Sequence, residues 1–168
     1  NGLTQTAVVA TGRSPLVIAS QTDGLIYNGP ITDGLGGPAL TSWGYGIAAG
    51  IVNGLPIAAV STTSVSGATN GSHVLAVVEL SNPAAPRALS LLALPGGAQT
   101  VQDVVLRDTS VFIGTNAGTY LVSLADPHSP RFVGTIPGVQ GRMGFSSESI
   151  LIGTRRGLSY EAGGRVTA

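Results

Sequence analysis

The sequence predicts an all-β fold assembled from about four copies of one four-stranded unit, and three observations carry that prediction. The phrase Leu80-Ser81-Asn82-Pro83-Ala84-Ala85-Pro86-Arg87 recurs 44 positions later as Leu124-Ala125-Asp126-Pro127-His128-Ser129-Pro130-Arg131. A second phrase, an apolar residue, a small one and a Ser or Thr that runs into a glycine-closed hairpin, occurs at Ile18-Ala19-Ser20, Ile113-Gly114-Thr115 and Ile152-Gly153-Thr154, and more loosely at Ala59-Val60-Ser61. The composition agrees: 25 Gly and 10 Pro in 168 residues supply many turns, while a 43% apolar fraction is too high for a disordered Gly/Pro tract. A unit of about 40 residues made of short strands is the period of a propeller blade, so the expected architecture is β-propeller-like, with about four four-stranded antiparallel blades, standing alone or within a larger ring.

The units run approximately over 1–43, 44–98, 99–138 and 139–168, all within a single repeat domain. In the first, Ile18-Ala19-Ser20 leads through Gln21-Thr22-Asp23 to Gly24, whose missing Cβ permits the positive φ of a short hairpin. After Tyr27 the first unit departs from the pattern, with Asn28-Gly29-Pro30 and then the glycine-rich 33–38, so its outer half is the least defined part of the repeat. The second unit lengthens its hairpin loop over 62–72, with Ser66-Gly67 and Asn70-Gly71 as turn signals. The anchors Ser20, Ser61, Thr115 and Thr154 therefore lie 41, 54 and 39 positions apart. The third unit is the best preserved and predicts strands at 101–107, 111–115, 119–124 and 131–136. Its runs Val104-Val105-Leu106 and Val111-Phe112-Ile113 are continuously apolar, as expected of a sheet buried on both faces between neighbours. The fourth unit ends at Ala168, where a fourth strand has barely begun, and the start at Asn1 without Met suggests a processed or excised piece.

The Asn/Asp-Pro-x-x-Pro-Arg phrase has a mechanical reading. Asn82 or Asp126 caps the turn through its side chain, the next Pro sets φ, and the second Pro opens a strand whose missing N–H is tolerated at a sheet edge. Arg87 and Arg131 then begin outermost strands, as charged edge protection. These residues resemble the LVIVD-type β-propeller repeat, whose units end in an apolar strand, Asp or Asn, Pro, a short spacer, Pro and an outer strand. The resemblance covers Leu55 to Gly157 and is weak before Asn53. It implies that the strand preceding each hairpin phrase is innermost, placing 101–107 and 142–146 beside a central channel.

Composition excludes several functions. Formal net charge is zero, with eight scattered Arg and no Lys, which argues against nucleic acid or an anionic membrane as the main partner. With no Cys there is neither a disulfide nor a thiolate metal site, and neither a signal peptide nor a membrane-inserted span is visible. His73 and His128 lack metal-ligand spacing, and no Gly-x-Ser-x-Gly elbow accompanies them, so neither a metal, a cofactor nor a catalytic set is expected. Gly44-Tyr45-Gly46-Ile47-Ala48-Ala49-Gly50 imitates a dinucleotide loop, but Asn53-Gly54-Leu55-Pro56 interrupts any following helix, and the segment reads better as a strand with small residues where sheets converge. The doublet Thr22-Asp23-Gly24-Leu25 and Thr32-Asp33-Gly34-Leu35 lacks the density of oxygen ligands of a calcium loop and reads first as turns.

The candidate binding residues are Asp103, Arg107 and Arg142, on segments read as innermost strands, and the aromatic pair Trp43 and Tyr45, which could stack on a sugar or peptide. Against them stand ordinary roles, strand-end charge reaching water and core filling. Residues 34–78 carry no Asp, Glu, Lys or Arg, so part of that stretch is a candidate surface for another protein, unless Ser, Thr and Asn suffice to solvate it. Asn70-Gly71-Ser72 is a formal glycosylation acceptor. The expected function is a non-enzymatic binding or scaffolding module of a secreted or cell-surface assembly, with protein as partner through further blades, a second copy or another component. The alternatives are a carbohydrate-active enzyme using Asp103 and Glu148 at the channel mouth, or a lectin-like sugar binder, although Trp43 has no counterpart in later units.

Overall fold

The computed structural model describes residues 6–9, 16–20, 24–29, 32–33, 44–63, 73–96, 100–137, 142–145, 149–154, 157–162 and 165–167. Within them lie strands β1 (Thr6–Val9), β2 (Leu16–Ser20), β3 (Gly24–Gly29), β4 (Thr32–Asp33), β5 (Gly44–Val52), β6 (Leu55–Thr63), β7 (His73–Glu79) and β8 (Arg87–Ala93). They continue as β9 (Val101–Arg107), β10 (Ser110–Thr115), β11 (Gly118–Ser123), β12 (Arg131–Pro137), β13 (Arg142–Phe145), β14 (Ser149–Thr154), β15 (Gly157–Ala162) and β16 (Arg165–Thr167). No described helix is long and apolar enough to cross a membrane.

The strands form four sheets in chain order: β1-β2-β3, β5-β6-β7-β8-β4, β9-β10-β11-β12 and β13-β14-β15-β16. The third and fourth are four-stranded and antiparallel throughout. Short hairpins account for this, because each leaves a strand beside its predecessor. Val52 pairs with Leu55 across Asn53 (φ 52°) and Gly54 (φ 80°), both left-handed, as the tightest hairpins require.

The first unit departs from this pattern for a reason the sequence did not convey. Its sheet has three described strands, and β4 instead pairs in parallel with β8 of the second sheet, Thr32 opposite Arg87 and Asp33 opposite Ala88. The strand at Arg87 is therefore not a bare edge, as expected from its prolines. Its first two residues are covered, whereas β12 is an edge among the described strands.

The core lies between successive sheets. Ile57, Ala59, Leu75, Val77 and Leu89 of the second sheet pack against Val104, Val111, Ile113, Tyr120 and Val122 of the third. The alternate residues Ala58, Val60, Ala76, Val78 and Ala88 pack with Ile18 of the first. Period-two alternation thus puts each strand's odd and even side chains into two different cores, which explains continuous apolar runs. On the far side of the third sheet, Phe112 packs with Leu121, Ile136 and Met143, the last from the fourth sheet.

The same burial corrects the reading of the uncharged stretch. Residues 57–62 and 73–78 are buried inside the chain, so over these strands the absence of charge reflects intramolecular packing and not a surface awaiting a partner.

The leading strands of the sheets adjoin in series, β1 beside β5, β5 beside β9 and β9 beside β13. No comparable contact joins β13 back to β1 among the described residues.

Candidate functional site

Two places gather polar side chains: the leading strands, where β9 lies between β5 and β13, and the rim loops carrying the repeated proline phrase.

On β9 the two faces have different neighbours. Val104 and Leu106 point towards β5, where a Cβ added at Gly46 would come within 2.8 Å of Val104 Cγ2 and one at Gly50 within 2.9 Å of Leu106 Cδ2. The glycine-rich segment resembling a dinucleotide loop is therefore a strand whose small residues admit the neighbouring sheet. Asp103, on the other face, accepts a hydrogen bond from Met143 N on β13 at 2.7 Å with Oδ2 and one from Val104 N at 3.0 Å with Oδ1. Its carboxylate ties the third sheet to the fourth, an arrangement in which a charged acceptor holds a backbone N–H that water would otherwise solvate.

The other sequence candidates are dispersed. Arg142 begins β13 and is exposed, one residue from the amide that Asp103 holds. Arg107 ends β9, four residues and about 13 Å along the strand from Asp103, and its Nε lies 4.0 Å from Asp108 Oδ2. So Asp103 and Arg142 come near one another, with Arg107 towards the opposite end. Tyr45 occupies a bulge in β5, between the pairs Gly44–Thr62 and Gly46–Ser61. Trp43 and Glu148 lie outside the described residues, as does Asp23 of the aspartate-glycine doublet, while Asp33 ends β4. Among the described residues no cluster of three or more His, Asp or Glu could hold a metal.

At the rim the repeated phrase builds the same loop twice. Asn82 Oδ1 accepts from Ala84 N at 3.2 Å, and Asp126 Oδ1 accepts from His128 N at 3.0 Å. In both loops the carbonyl of the same residue accepts from the third amide on, Ala85 N and Ser129 N, each at 3.0 Å. The short polar side chain thus closes the turn from within, as its position before Pro suggests.

Each loop borders a shallow cleft at equivalent positions. One, of about 300 Å³, is lined by Glu79, Ser81, Asn82, Ala85 and Arg87. The other, of about 400 Å³, is lined by Ser123, Ala125, Asp126, Ser129 and Arg131. In the first, Arg87 Nε donates to Glu79 Oε2 at 2.7 Å across the β7–β8 pair, and this guanidinium, aided by Ser81, holds the Glu79 carboxyl below the usual carboxylate range. In the second, Ser123 stands opposite Arg131 where the other repeat has Glu79.

Sequence reasoning missed the part these loops play between sheets. Asn53 Nδ2 donates to Ala125 O at 2.8 Å, and the buried Ser90 Oγ donates to Pro127 O at 2.6 Å, both from the second sheet to the loop of the third. Tyr120 returns the connection, donating its hydroxyl to Pro95 O at 3.1 Å while its ring meets Phe132 edge to face at 5.7 Å. Hydrogen-bonding residues flanking each hairpin were the available signal, but their acceptors are main-chain carbonyls, which every sequence offers equally.

No protein-family model matches the chain, and no curated protein is similar to it in sequence. Among solved structures it is similar to the crystal structure of the computationally designed Ika8 protein, with a TM-score of 0.62 at 13% identity. That match covers 100% of this chain and 46% of the designed one, so the chain spans about half its length. At such identity the likeness concerns the fold alone.

Proposed function

We propose that the chain is a non-enzymatic binding or scaffolding module, a run of propeller blades of the LVIVD type belonging to a secreted or cell-surface assembly. The serial stack carries this reading. Each leading strand adjoins the next, yet the fourth sheet does not return to the first among the described residues, so the end faces call for further blades, a second copy or another protein component. The use of Asp103 in holding β13 supports a structural role for the leading strands, and a 10% charged fraction without Lys suits packing against protein better than binding polyanions.

Native mass spectrometry with small-angle scattering tests the proposal. The expected result is association of copies or an elongated, open particle. A compact, ring-closed monomer would overturn the need for further blades, and glycoside turnover abolished by Asp103→Asn would overturn the non-enzymatic part.

A further inference from the structure

We propose that the outer edge of the third sheet docks an extended segment of a partner protein, which adds parallel to β12 and delivers a carboxylate to Arg131. The proposal rests on the module reading above and names its partner class. It comes from comparing the two copies of the proline-arginine loop, which share their backbone turns but differ in what meets the arginine and the strand after it.

In the second unit both needs are met within the chain. Arg87 has its carboxylate from Glu79 at 2.7 Å, and the edge it begins receives β4, with Thr32 opposite Arg87 and Asp33 opposite Ala88. In the third unit neither is met among the described residues. The residue opposite Arg131 is Ser123, which carries no charge, and no described strand pairs beyond β12. Arg131 is exposed, and it forms no ion pair among the described residues. Phe132 and Val133 follow it at 39% and 59% exposure, two consecutive large apolar side chains on an edge that no described strand pairs.

The occupant's chemistry follows from what the equivalent site already holds. An extended backbone satisfies the edge as β4 satisfies β8, and apolar neighbours of the acidic residue cover Phe132 and Val133. A carboxylate standing opposite Arg131 occupies the cleft of about 400 Å³ lined also by Ser123 and Ser129, whose hydroxyls are available as further donors. Asp126 borders the cleft with its Oδ1 engaged by His128 N, so one acidic oxygen of the rim is already satisfied internally.

The test uses two capped peptides with apolar residues directly after the acidic one, where parallel addition sets them opposite Phe132 and Val133: Gly-Pro-Thr-Asp-Val-Val-Gly and its counterpart Gly-Pro-Thr-Asn-Val-Val-Gly, titrated into the isotope-labelled chain and followed by amide chemical shifts. The Asp peptide is expected to move the amides of Arg131, Phe132, Val133 and Ser123. Its apparent affinity is expected to fall at least about fivefold for the Asn peptide, for Arg131→Ala, and for Ser123→Glu, which supplies the carboxylate from within. Equal shifts from both peptides, no shift along β12 at millimolar peptide, or dimerisation through β12 in place of peptide binding would each overturn the proposal. Because the peptide comparison and Ser123→Glu leave Arg131 in place, a failure of Arg131→Ala to fold does not remove the test. The module reading stands or falls separately, on assembled mass and shape.

Discussion

Replacing Asp103 by Ala removes an acceptor that holds two amides, Met143 N at 2.7 Å and Val104 N at 3.0 Å. Hydrogen bonds to a charged group contribute about 1.5–3 kcal/mol each. The Val104 bond is local, made to the next residue in the chain, and water replaces much of it; the Met143 bond spans two sheets and leaves an edge amide without its acceptor. Together they give an expected loss of about 2–4 kcal/mol. At about 2–4 °C per kcal/mol for a chain of this size, the melting temperature falls by about 4–16 °C. Asp103→Asn retains one carbonyl oxygen and turns an N–H₂ towards a donor, so it falls between wild type and Ala. Calorimetry reads the loss, and hydrogen exchange localises it, with the Met143 amide losing more protection than amides of the β10–β11 pair. An unchanged melting temperature together with unchanged Met143 protection would refute the assignment of Asp103 as a tie between sheets.

Gly46→Ala and Gly50→Ala discriminate between two close approaches: the first meets Val104 Cγ2 at 2.8 Å with Val104 N behind it at 3.3 Å, and the second meets only the end of Leu106 at 2.9 Å. Chemical denaturation is expected to show about 1–3 kcal/mol lost at Gly46 and clearly less at Gly50, with equal losses counting against the packing of β5 on β9. Gly118 combines φ 136° with a prospective Cβ 2.6 Å from Ile136 O, a backbone atom, so Gly118→Ala is expected to cost about 2–4 kcal/mol and to loosen β12 in hydrogen exchange. Thr115→Val retains shape but removes the hydroxyl that donates to Gly118 O at 2.8 Å and accepts from Ala117 N at 3.1 Å, for an expected loss of about 1–3 kcal/mol in the same denaturation assay. Burial lowers the pKa of His73 below its ordinary 6.5, so the unfolded chain takes up a proton first as pH falls. Its contribution is complete above about 6.5, declines between there and the folded-state pKa, and is removed by His73→Gln, as urea midpoints measured across pH 5–8 would show; the Glu79 contribution fades separately, below the carboxylate range.

Much of the fold was legible because repeats write local chemistry twice. The predicted strands of the third unit agree with β9 to β12 to within a residue or so at either end, since β-branched runs, two-residue hairpins and the Asx-Pro turn are each set by neighbours in the chain. The candidate site was less legible. Asp103 was identifiable as a polar residue in an apolar strand, but its partner is an amide 40 positions away, and main-chain groups carry no sequence signature. The uncharged stretch showed the same gap in reverse, because composition records that residues avoid water without recording whether their own chain or another covers them.

The sequence by itself determined the all-β class, the repeat, the turn chemistry of the proline phrase and the places where only glycine or a short polar side chain serves, all consequences of local backbone geometry. Only the tertiary structure decided that β4 pairs with the second sheet beside Arg87, that Asp103 joins the third sheet to the fourth, and that Arg131 faces Ser123 and has no carboxylate partner among the described residues where its counterpart has Glu79. Those outcomes depend on which edges and faces meet in space, and hydrogen-bonding edges are built from backbone groups that every residue except proline possesses alike.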